Sequence, residues 1–158
     1  MKKLIIVVMG VVLAVASIAL NASAQSERAR GSAGDVSAAN VAQIFAKNWD
    51  ARHLDKVLAL YAPDGEFLSE QGRISGHDAL EKFFNQMAQM VQSSKMKVHT
   101  VSQSESGDLA YVSGDYSEEL VLNDTPRKVH GTYVIVLKKI EGKWFIAQHI
   151  WADEGAQP

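Results

Sequence analysis

One imidazole near the end of the chain stands among aromatic side chains. In residues 142–151, GKWFIAQHIW, strand alternation puts Phe145, Ala147, His149 and Trp151 on one face. Trp144, Ile146, Gln148 and Ile150 fall on the other. An imidazole near its ordinary pKa takes up and returns protons at neutral pH, so His149 is the first candidate for acid–base work. The alternative is a histidine that hydrogen-bonds to a neighbour and only shapes its surroundings. The other histidines are His53, His77, His99 and His130, and none is spaced as a ligand pair. A metal needs three or four convergent ligands, so no metal is expected. Nucleophilic catalysis has no cysteine and no G-x-S-x-G to use, and Ser75, two residues before His77, reads better as a helix cap. No glycine-rich loop suits a dinucleotide or a phosphate, so no cofactor is expected. Glu118 and Glu119 read as a solvated pair on a strand.

The 158 residues suggest one domain, and the first 24 stand apart from it. Lys2 and Lys3 precede an uncharged, mostly aliphatic run over residues 4–20, and Ala22-Ser23-Ala24 follows as an A-x-A site. That is the pattern of a secretory signal peptide over residues 1–24, cleaved after Ala24. An uncleaved membrane anchor is the rival reading, and the run is short for a span. Either way the domain is expected outside the cytoplasm, periplasmic or secreted, with no membrane contact once the signal is removed. Without cysteine the exported domain must stand on its core alone, and about 134 residues suffice for that. Removing Lys2 and Lys3 takes the formal charge from −2 to −4, since residues 1–24 hold no acid. No basic cluster remains, which argues against nucleic acid as a partner.

Residues 25–36 are polar, small and aperiodic, a flexible lead-in. Ser37 is expected to cap a first helix with Val41, Ile44, Phe45 and Trp49 on one stripe. Leu54, Val57, Leu58 and Tyr61 fit a short second helix stopped by Pro63. A short strand, GEFLSE, precedes a turn at QGR. Ser75 and Asp78 have capping-box spacing ahead of a third helix carrying Leu80, Phe83, Phe84, Met87, Met90 and Val91 on one face. Its Phe/Met stripe reads as core packing. Four strands follow, separated by ESGD, NDTP and EG. Short turns make them antiparallel. The order implies an α+β fold, a curved antiparallel sheet with three helices on its concave face. Trp144, Ile146 and Ile150 would leave the outer face of the last strand too apolar for water, so a homodimer through that face is expected.

The stretches NWDARHLDKVLALYAPDGEF, GRISGHDALEKFF, GDLAYVSGDY and GKWFIAQHIW, in this order and spacing, resemble the SnoaL-like, ketosteroid-isomerase-like domains of the nuclear transport factor 2 superfamily. The resemblance covers residues 37–153, leaving 154–158 as a C-terminal tail, and is greatest to exported members of unknown function, the SgcJ/EcaC type. It implies a cone-shaped sheet around a deep pocket. By motif, Trp49, Tyr61, Phe67, Phe84, Tyr111, Ser113, Asp115, His149 and Trp151 would face that pocket. The isomerase chemistry itself needs a carboxylate base and two acidic hydrogen-bond donors. The base position aligns with Ser69, or with Glu70 after a slip of one residue; the tyrosine position holds Phe45; and the strand that should carry the aspartic acid has no acid. Steroid isomerisation is therefore not expected.

Three functions stay open. The first is a pocket that binds a small apolar or aromatic ligand, walled by Trp49, Tyr61, Tyr111 and Trp151 and anchored by Asp115 and His149. The second is a cofactor-free enzyme doing proton-transfer or hydration-type chemistry in that pocket, with His149, Asp115 or Glu70 as acid or base. The third is a structural dimerisation module whose cavity is filled by its own side chains.

Overall fold

The computed structural model describes residues 36–157. The expected signal peptide, and the lead-in up to residue 35, lie outside the described residues. Helix α1 (Val41–Asp50) buries Val41, Ala42, Phe45, Ala46 and Trp49, the expected stripe with Ile44 at its edge. It starts later than Ser37 suggested. Ser37 gives its carbonyl to the N–H groups of Asn40 and Val41, and Asn40 takes the cap position.

Helix α2 (Leu54–Leu58) is five residues long. Tyr61, expected at its end, instead opens strand β1 (Tyr61–Ser69). The local 3.6-residue period is overridden by a distant partner. Leu60 accepts the N–H of Ile146 at 2.7 Å, and Tyr61 pairs in parallel with Ile146. Pro63 lies where the register of β1 is irregular, between Tyr61 and Glu66, which spares the sheet its missing N–H.

The QGR turn closes a hairpin onto an additional strand, β2 (Gly72–Ser75). Helix α3 (His77–Met90) then buries Leu80, Phe84 and Ala88, with Phe83 and Met87 packed partly against the core. Its cap is Gly76 at φ 81°. Ser75 does not cap it; its hydroxyl donates to Glu66 Oε1 at 3.1 Å. Val91, expected on the helix, begins β3 (Val91–Ser106). Strands β4 (Leu109–Leu122), β5 (Thr125–Ile140) and β6 (Lys143–Gln157) follow through two-residue turns. The turn residues Asn123, Asp124, Glu141 and Gly142 all have positive φ, as the tight hairpin turns require. Strand β6 runs on through 154–157, the stretch read as a tail.

The fold is α+β, a six-stranded sheet in the order β2-β1-β6-β5-β4-β3, not closed, with three helices among the described residues. It is mixed rather than wholly antiparallel, because β1 runs parallel to β6. No helix among the described residues is long and apolar enough to cross a membrane.

A bulge resolves the two apolar faces of the last strand. Leu137 pairs with Ile146 and Val136 with Gln148, so Ala147 is an extra residue on β6. The alternation flips there. Ile146 and His149, three apart, are both buried in the core, and Trp144 and Trp151 pack against it. Trp144 and Ile146, expected on the outer face, thus belong to the inner one, while Phe145 moves outward.

Candidate functional site

The sheet and helices bring His149 to the centre of an aromatic cage. It sits on β6 between Phe67 of β1 and Ile135 of β5 in register. Its side chain is 1% exposed. Phe45 from α1 meets it edge-on, with centroids 4.9 Å apart at 88°. Phe67 and Trp151 also stand steeply against it, at 5.4 and 5.5 Å. Phe84 of α3 closes the cage against Tyr61 at 5.7 Å and Phe67 at 6.1 Å. Edge-to-face pairs at these separations are favourable ring contacts.

Two polar features break this apolar interior. The Tyr61 hydroxyl lies 2.8 Å from Nδ1 of His149. Nε2 of His149 is buried and has no hydrogen-bond partner among the described residues. Burial penalises the charged ring and pushes its pKa down to about 3, so the imidazole is neutral across the physiological range. Burial likewise raises Tyr61 well above the ordinary phenol range.

Beside the cage lies a hydrogen-bonded carboxylate cluster. Trp49 Nε1 donates to Glu118 Oε1 at 3.0 Å. The Ser94 hydroxyl sits 2.6 Å from the same oxygen and 2.5 Å from Asp50 Oδ1. A hydroxyl has one proton to give, so Ser94 donates to only one of these two oxygens at a time. Glu118 lies in surroundings that disfavour its charge. Burial raises its pKa, and Asp50 and Asp153 add to the rise against the hydrogen bonds from Ser94 and Trp49. Tyr116 donates to Asp153, which also accepts from Trp151 Nε1 at 3.0 Å. The rings of Tyr116 and Trp151 are 3.9 Å apart.

Of the expected site residues, Trp49, Tyr61, Phe67, Phe84, His149 and Trp151 converge. Tyr111, Ser113 and Asp115 do not. They alternate with buried Ala110, Val112 and Tyr116 and so occupy the opposite face of the sheet. Asp115 faces His99 there, with its Oδ2 3.8 Å from Nδ1, and the Asp115–His149 pair does not form. Glu70 is exposed in the β1–β2 turn. Glu118, read as solvated, is turned inward, whereas Glu119 is exposed and pairs with Lys128 at 3.1 Å. The signal was available in the sequence: Ala110, Val112, Gly114 and Tyr116 mark the inner face, and Glu118 continues it. Phe45 and Tyr116 were likewise not expected at the site.

Rings occupy much of the space that the resemblance assigned to a ligand. A shallow cleft of about 570 Å³ lies elsewhere, lined by Arg52, Leu54 and the C-terminal half of α3. A smaller cleft of about 110 Å³ between α2 and α3 reaches Phe84, the outer wall of the cage.

Solved structures share this architecture. A hexachlorocyclohexane dehydrochlorinase (LinA) of type 2 superposes with a TM-score of 0.68 at 13% identity, covering 91% of both chains. A Novosphingobium aromaticivorans protein described as a scytalone dehydratase gives 0.66 at 14%, covering 90% of both chains. A ketosteroid isomerase-like protein of Erwinia carotovora atroseptica gives 0.65 at 18%, covering 72% of this chain and 91% of its own. At such identities the likeness carries the fold and not the reaction. No curated protein matches the sequence. Residues 41–146, well over half of the chain, match the SnoaL-like domain, and the chain belongs to that family, with the nuclear transport factor 2-like fold.

Proposed function

We propose that this chain is an exported small-molecule-binding protein whose ligand lodges in the aromatic cage around His149. The observation that carries the reading is the unpartnered Nε2 of a fully buried imidazole. Leaving such a group unsatisfied costs about 1–3 kcal/mol. A position serving packing alone would be filled by a leucine or phenylalanine without that cost. Apolar walls with one or two fixed polar groups are the usual make-up of a small-molecule site.

A second reading has its own support. The Tyr61 hydroxyl on a neutral imidazole, with Glu118 and its burial-raised pKa beside the cage, is a set of groups able to move protons without a cofactor. The same pocket would then carry proton-transfer or hydration-type chemistry. A third, a structural module filled by its own rings, is supported by the ring-to-ring packing itself.

Native mass spectrometry of the protein recovered from the exported fraction, followed by untargeted metabolite analysis, tests the proposal. The expected spectrum shows a chain starting at Gln25 with a small molecule bound, and the molecule is lost in His149→Phe. A chain that never carries a small molecule, from any growth condition, leaves the filled structural module as the reading. We also propose that the outer face of the sheet joins two copies of the chain, as argued below.

A further inference from the structure

We infer that the cage takes a neutral, largely apolar ligand bearing a carbonyl or ether oxygen, received by an Nε2–H of His149 that Tyr61 holds in place. This rests on the ligand-binding reading above and gives the ligand its chemical class.

The argument is a proton count. Tyr61 and Nδ1 of His149, 2.8 Å apart, can share their proton in two ways. In the first, the tyrosyl O–H donates to Nδ1, and the imidazole proton sits on Nε2. In the second, an Nδ1–H donates to the tyrosyl oxygen. The tyrosyl O–H then needs an acceptor of its own, and Nε2 is left as a bare acceptor. Tyr61 is 1% exposed, and its hydroxyl has no hydrogen-bond partner but His149 among the described residues. The second arrangement thus strands two buried groups and the first only one. A phenol is also the more acidic partner of the two. The first arrangement therefore holds, and the unpartnered atom is a donor.

A donor needs an acceptor from its ligand. Phe45, Phe67 and Trp151 stand against the imidazole and offer no charge, and the ring itself is neutral. A carboxylate entering the cage would shed its water without meeting a cation, at heavy cost. An uncharged oxygen loses far less. Tyr61 acts as a positioning residue, since it chooses which nitrogen carries the proton. The competing occupant of the N–H is the face of a neighbouring ring, a weaker acceptor.

Long-range proton–nitrogen NMR on the labelled protein reads the tautomer directly, and three probes of like size read the ligand class: acetophenone, α-methylstyrene and benzoate. The expected result is an Nε2–H tautomer in the free protein and a mixed population in Tyr61→Phe. Acetophenone should bind about tenfold more tightly than α-methylstyrene, a difference of about 1.4 kcal/mol, and move the Nε2 resonance. Benzoate should not bind. An Nδ1–H tautomer in the wild type overturns the proposal without any ligand, even if Tyr61→Phe fails to fold. Equal binding of the ketone and the alkene overturns the oxygen acceptor and leaves the binding reading standing. Failure of both to bind removes the two together.

Discussion

His149 makes the fold sensitive to acid although it stays neutral within it. In the unfolded chain the ring titrates near 6.5, and in the cage burial holds it at about 3. Between those values the unfolded chain binds a proton that the folded one refuses. Stability is therefore full above about pH 6.5 and falls as the pH drops toward 3, by at most about 1.4 kcal/mol per pH unit. Asp64 and Glu66 have depressed carboxyl pKa values through Lys138 and Gln148 and also withdraw stability at the acid end of this range. The comparison that isolates the ring is urea unfolding of the wild type and His149→Phe from pH 7 to 4. The wild type should lose stability more steeply, and parallel curves would show that the imidazole is not desolvated. The sequence disclosed this residue and most of its cage because aromatic side chains at inward positions of β1, β6, α1 and α3 have few other places to go. It misdirected the reading at β4, where choosing the wrong one of two alternating faces carried Tyr111, Ser113 and Asp115 out of the site together and hid Glu118. Asp115 is the instructive case, because a carboxylate is attractive as a partner for histidine, while its neighbours Ser113, Ser117 and Glu119 already mark a solvated face.

At the scale of elements, the sheet curves around the cage where bulges and glycines let its strands bend. The register shifts opposite Gly114, between Thr100 and Ser102, and again between Val129 and Gly131. A Cβ on Gly131 would stand 2.0 Å from the carbonyl oxygen of Ala152 and 2.8 Å from Cε1 of Tyr116. Gly131→Ala should therefore cost at least about 3 kcal/mol, the upper end of ordinary overpacking, because the opposing atom is backbone. Gly142→Ala provides the contrast. Its φ of 78° is strained for alanine, but nothing lies within 4 Å of the new Cβ, so about 1–2 kcal/mol is expected. Equal losses for the two variants in denaturant unfolding would mean that close strand approach does not set the curvature. The long hairpins were legible because their turns carry Asn-Asp and Glu-Gly next to alternating strands. The parallel pairing of β1, the short β2 and the bulge at Ala147 were not legible. Each is decided by a partner far along the chain, and the helical period through Tyr61 was locally sound until Ile146 captured the backbone.

At the scale of the whole molecule, the question is what covers the outer face of the sheet. The bulge takes Trp144 and Ile146 away from that face, yet an apolar stripe remains. Leu68, Ile150 and Val134 lie side by side in register across β1, β6 and β5, and Val136 pairs with Tyr111 on β4. Ile150 is 38% and Tyr111 40% exposed. The charges near the stripe are already paired within the chain: Glu66 with Arg73 at 3.0 Å, Lys138 with Asp64 at 2.5 Å and Glu119 with Lys128 at 3.1 Å. A second copy related by a two-fold axis can therefore lay its own stripe on this one without opposing unpaired like charges. A lysine at the centre of such an interface would be buried without a partner in both copies at once, while in a separated chain it would point into water. Ile150→Lys should consequently shift sedimentation from about twice the chain mass to one chain mass at micromolar protein, and lower urea stability only by the association that is lost, so that its unfolding midpoint no longer depends on protein concentration. His149→Phe, on the opposite face, should sediment as the wild type does. A wild-type protein that sediments as a single chain at tens of micromolar would show that the stripe is ordinary surface apolarity, of the kind most soluble domains carry.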